Sequence, residues 1–82
     1  MKITGIVEKV IEVKQRNKAV VLVRCMVNEK ESWSIDFRQF LRHRALVLIP
    51  GDRVVADCVI QGCIDDQNKS HNNIIAQSLS RI

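Results

Sequence analysis

Two histidines, three cysteines and one adjacent pair of aspartates are the residues of this 82-residue chain that could do covalent or metal chemistry. Acyl or phosphoryl transfer needs a nucleophile, a base and an orienting group in reach of one another. His43 stands between Arg42 and Arg44, and His71 lies in a polar stretch; neither has a companion at a useful spacing. Asp65–Asp66 reads as loop polarity rather than a metal site. Cys25, Cys58 and Cys63 are odd in number and irregular in spacing, and Cys58 and Cys63 are too far apart for a C-x-x-C zinc knuckle. They read as buried or incidental thiols of a reducing cytoplasm. No phosphate-binding loop, dinucleotide fingerprint or zinc-protease motif is present. The expectation is a protein with no catalytic residue, no metal site and no cofactor.

The cations suggest other chemistry. Lys+Arg number 13 against Asp+Glu 9, a formal net charge of +4. Lys14, Arg16 and Lys18 alternate through one polar turn. Arg24 interrupts an apolar segment, Arg38 ends an alternating one, and Lys69 and His71 occupy a late polar stretch. Lysines and arginines so placed neutralise phosphates and make affinity fall with salt. Aromatics are only 4% of the chain: Trp33, Phe37 and Phe40, with no Tyr. Trp33 is a candidate base platform, but it shares parity with Ile35 and Phe37, opposite Ser34, Asp36 and Arg38, and core packing competes for it. Phe37 and Phe40 are expected in the core. Asp36 on the polar face would repel phosphate.

These residues need elements to position them. Ile3–Lys14 reads as one long strand, with Val10 and Ile11 breaking its alternation and predicting a bulge or bend there. Gly5 is placed to help the coiling. Lys14–Lys18 is a turn, Ala19–Val27 a strongly β-branched strand, and Asn28–Glu31 a charged turn. Ser32–Arg38 alternates strictly, as a half-buried strand does. From Gln39 to Leu48 the period becomes helical, ended by Pro50–Gly51. Val54–Ile60 is a fourth strand, Asp65–Asn73 a polar loop, and Ile74–Ile82 a fifth strand.

Three strands, a helix and two strands make an all-β chain with one short helix. Chains of this kind close into small barrels to remove their edges. The layout is that of the five-stranded oligonucleotide/oligosaccharide-binding (OB) fold, β1-β2-β3-α-β4-β5, as a single domain over residues 1–82; an SH3-like barrel is the rival, with only a short 3₁₀ turn where this chain offers a helix. Met1–Val7 resembles the first strand of single-stranded-DNA-binding OB folds and of the small bacterial domain of unknown function DUF3127. Ser34-Ile35-Asp36-Phe37 resembles their third strand, and Pro50–Ala56, with its Gly-Asp-x-Val, the opening of their fourth. The resemblance implies a nucleic-acid-binding barrel of bacterial, phage or plasmid type. The chain departs from it in lacking an acidic C-terminal tail and the usual exposed aromatics.

One domain of this size buries only about 60–65% of its unfolded surface and has little room for an elaborate active site. No apolar run approaches the ~20 residues of a membrane helix, and Met1–Gly5 lacks the pattern of a signal peptide. The sequence therefore predicts a cytoplasmic, non-catalytic protein that binds single-stranded nucleic acid, most readily DNA, with low sequence specificity. The residues assigned to binding are Lys14, Arg16, Lys18, Arg24, Trp33, Arg38, Lys69 and His71. The alternative is an OB-fold assembly subunit with little nucleic-acid affinity. It would use the apolar outer face of the second strand, at Leu22 and Met26, to meet a protein partner or a second copy.

Overall fold

The computed structural model describes residues 1–26, 30–64, 66–68 and 70–82, with the side chains of Cys63 and His71 outside the description. Val27, Asn28 and Glu29, in the expected second strand and following turn, also lie outside it. The strands are β1 (Lys2–Val13), β2 (Lys18–Cys25), β3 (Ser32–Arg38), β4 (Arg53–Ile64) and β5 (Ser70–Arg81), and a short helix, α1 (Phe40–Leu46), sits between β3 and β4. They close into a barrel in the order β1-β2-β3-β5-β4. Neighbours are antiparallel except β3 and β5, which run parallel through Ile35↔Ile74 and Asp36↔Ile75. This is the expected all-β architecture, an OB-type barrel with its helix between the third and fourth strands.

Alternation writes the core directly. On β2, Ala19, Val21 and Val23 are fully buried, while Val20, Leu22 and Arg24 turn outward and are half-buried. On β3, Ile35 and Phe37 face them from across the ladder. Leu41 and Ala45 of α1 and Leu48 after it close one end of the barrel. The helix is shorter than its periodicity suggests. Pro50 disfavours helical backbone at the residue before it, and Val47 already caps the last turn.

The bend in β1 lies earlier than the sequence suggests. The ladder with β2 shifts between Val7 and Lys9, so Glu8 is the extra residue. Parity flips there, and Val10 packs on the core while Ile11 is 39% exposed. At Gly5, β1 presses close on β2. A methyl group there would collide with the Arg24 carbonyl oxygen and lie 2.5 Å from Val23 Cγ1.

The β4–β5 hairpin is longer than expected. β4 runs on to Ile64 and β5 starts at Ser70, so Ser70–Asn73 is strand rather than loop. His71 thus sits on a strand, paired in register with Cys63. Composition hides this because the polar residues of Ser70–Asn73 are held by pairing with β4, not by an apolar face. Cys58 is buried on β4, and desolvation pushes its thiol pKa above the ordinary 9.0.

Candidate nucleic-acid interface

The register gathers part of the predicted basic set at one end of the barrel. Lys14–Arg16 form a single 3₁₀ turn between β1 and β2, and Asn17 adopts left-handed backbone to re-enter β2. Lys18 then pairs with Arg38 across the β2–β3 ladder. Gln39 N–H bonds the Asn17 carbonyl at 3.3 Å, which ties the turn to the start of α1. Lys14, Arg16, Lys18 and Arg38 are therefore neighbours on one rim.

Of the other predicted residues, Arg24 and Trp33 do not join them. Arg24 faces outward from β2 but pairs with Ser32 at the far end of the ladder. It lies six positions along the strand from Lys18, a span of about 20 Å. Trp33 pairs with the buried Val23, is half-buried, and packs against the core cluster from the barrel rim. Lys69 lies outside the described residues, and His71 is described only by its backbone on β5.

Asp36 does not stand open on the polar face, as its place in the alternation suggests. It is 7% exposed, the one buried charged residue among those described. Lys18 Nζ donates to its Oδ2 at 3.0 Å, and Arg38 Nη2 lies 3.5 Å from the same oxygen. The carboxylate is spent on holding two cations in place. Removing its charge leaves Lys18, 15% exposed at the side chain, without a partner. Breaking a fully buried pair costs about 3–5 kcal/mol, and the contact of Lys18 and Arg38 with water reduces that to about 1–3 kcal/mol. Asp36→Asn is expected to lose that much stability in urea denaturation. The Lys18→Met/Asp36→Leu pair should recover most of it; a double variant as unstable as the single would show that the ion pair is not the cause.

The segments meeting at this end carry more than the whole chain's surplus. The β1–β2 turn, the end of β3, α1, the turn into β4 and the end of β5 hold Lys14, Arg16, Lys18, Arg38, Arg42, Arg44, Arg53 and Arg81 against Glu12, Asp36 and Asp52. That is a surplus of five, where the chain as a whole has +4. Arg42 pairs with Glu12 at 2.9 Å and Arg81 with Asp52 at 3.3 Å. Of these eight described cations, Lys14, Arg16, Arg44 and Arg53 have no carboxylate partner. A cleft of about 220 Å³ lined by Arg44, Val47, Leu48, Leu79 and Arg81 opens at the same end.

The residue that sequence reasoning misplaced is Phe40. Phe37 is fully buried, but Phe40 is 74% exposed. It follows Gln39, whose φ of 56° and ψ of −127° are rare for a residue with a side chain. The signal was present in the helical period. Leu41, Ala45 and Leu48 form the inward stripe, and Phe40 belongs to the neighbouring stripe with Arg44 and Val47. An aromatic ring is thus exposed at the first turn of α1, next to Gln39, whose N–H bonds the β1–β2 turn.

Among the described residues no group of three or more His, Cys, Asp or Glu side chains could hold a metal ion, and no helix is long and apolar enough to cross a membrane. No protein-family model matches the chain, and comparison with the curated proteins gives no match.

Proposed function

We propose that this barrel binds single-stranded nucleic acid without strong sequence preference, entering at the helix-plugged rim. The observation that carries the reading is Phe40, 74% exposed at the first turn of α1, two residues after Arg38 and next to Gln39, whose N–H bonds the β1–β2 turn. Single-strand binders pair an aromatic platform with a cationic track, because every base has a π-face and every nucleotide a phosphate. Here the ring lies where β1–β2 turn, β3 end and helix start converge, and the outer face of β2 and β3 leads away from it. That face offers Val20 and Leu22 as an apolar floor and Ser34 as a hydroxyl partner, with Arg24 at its far end, where Ser32 Oγ donates to Glu8 Oε1 at 2.8 Å. Hydroxyls and aliphatic groups accept any base, which matches low sequence specificity. Nothing in this set does covalent chemistry, and the role is binding rather than catalysis.

The test is a titration of fluorescein-labelled oligo-dT and oligo-U followed by anisotropy across salt. About four phosphate contacts predict a slope of log affinity against log salt near −3. The oligomer that binds more tightly assigns DNA or RNA. Absence of binding at low salt would remove this reading and leave the barrel as an assembly module, the role that the half-exposed Val20 and Leu22 and the exposed Met26 favour.

A further inference from the structure

The β4–β5 hairpin outruns the barrel. β1 pairs with β4 only as far as Asp57, and the last bonds on that edge join Met1 to Cys58, at 2.6 Å from Cys58 N–H and 3.0 Å from the Met1 amino group. From Val59 to Ile64, β4 pairs with β5 on one side. Among the described residues no ladder occupies its other side. Exposed strand edges are templates for another strand, and proteins normally blunt them with lysine, proline or a bulge. Val59-Ile60-Gln61-Gly62-Cys63-Ile64 contains no charge and no proline, and its register with β5 is regular. Val59, Ile60 and Ile64 are 41, 61 and 71% exposed.

We propose that this edge is the interface with a second copy of the chain, formed by antiparallel pairing of β4 with the partner's β4 about a twofold axis through Gly62. The charge distribution selects this occupant. The helix-plugged end carries a surplus of five cations, so the rest of the molecule has a small deficit and the edge itself is neutral. A second copy docked here keeps the two basic ends apart, on molecules up to 39 Å long, whereas docking at the helix end would oppose them. The register follows from the residues. Centring on Gly62 sets Ile60 opposite the partner's Ile64 and Ile64 opposite the partner's Ile60, on one face of the new sheet. Gly62 meets its own copy with no side chain to clash. A twofold interface requires such self-complementarity, and this segment provides it.

The test begins with light scattering of the full chain at about 100 μM, where a dimer is expected; a monomer there overturns the proposal. Ile60→Lys/Ile64→Lys places four charges in the interface and is expected to give a monomer with unchanged circular dichroism. Both positions lie outside the core, so the barrel should fold, and a persisting dimer would overturn the proposal. The register is read by crosslinking in a background with Cys25→Ser and Cys63→Ser. Directly opposed residues of antiparallel strands lie about 4.5–5.5 Å apart, within disulfide reach. Gly62→Cys should crosslink to completion under mild oxidation, while Gln77→Cys, exposed on β5, should not. Equal crosslinking at the two positions would refute the twofold at Gly62.

Discussion

Phe40→Ala is expected to leave the thermal transition almost unmoved and to weaken oligonucleotide binding about tenfold or more. A ring that is 74% exposed contributes little to the core, so its loss creates no cavity. Stacking of one base on an aromatic supplies about 1–3 kcal/mol, and each 1.4 kcal/mol is a factor of ten. Lys14→Glu/Arg16→Glu/Arg38→Glu should weaken binding further, by about two to three orders of magnitude at low salt, and lower the salt slope by about two. The two effects differ in kind. Losing the ring lowers affinity at every salt concentration, whereas reversing the charges takes away most of the salt dependence. A Phe40→Ala protein that binds as wild type would show that the rim is not where bases lie. An unchanged salt slope in the charge variant would show that the turn is merely solvated.

Phe37→Ala, three residues away, should do the reverse. Its ring is fully buried between β2 and the helix plug, where truncation costs about 3–5 kcal/mol through lost transfer energy and the cavity left behind. A domain of this length has only about 4–12 kcal/mol in total. At roughly 4–8 °C per kcal/mol, the melting temperature should fall by more than about 12 °C, with part of the population unfolded at 37 °C. The folded fraction should bind nucleic acid normally once concentration is corrected for it. A Phe37→Ala protein as stable as wild type would contradict the assignment of this ring to the core. The two phenylalanines together separate what holds the barrel from what the barrel holds out.

The strands were largely legible because a half-buried strand writes its burial into every second residue. β2 and β3 show this, and both match their sequence reading closely at Ala19–Arg24 and Ser32–Arg38. Legibility failed where pairing, not composition, decides. Ser70–Asn73 is polar throughout and is strand because β4 lies beside it. The parity of β1 flips at Glu8, which no hydrophobic pattern marks, whereas the adjacent Val10 and Ile11 are conspicuous but sit beyond the shift. On the rim, Lys14, Arg16, Lys18 and Arg38 were found from residue type alone. Their separation from Arg24 required the ladder register, since five residues of β2 lie between Lys18 and Arg24.

The sequence by itself determined that this is a small barrel with one helix, that the alternate residues of its second and third strands make the core, and that cations outnumber carboxylates by four. Those properties are set by local periodicity and by residue type. Only the tertiary structure decided that Asp36 pairs with Lys18 and Arg38, that Phe40 faces water while Phe37 does not, and that, among the described residues, the end of β4 has a ladder on one side alone. Each depends on which distant segment arrives alongside. A carboxylate's role is set by the cations that reach it, a ring's by the stripe its helix turns inward, and an edge's by where its neighbour stops.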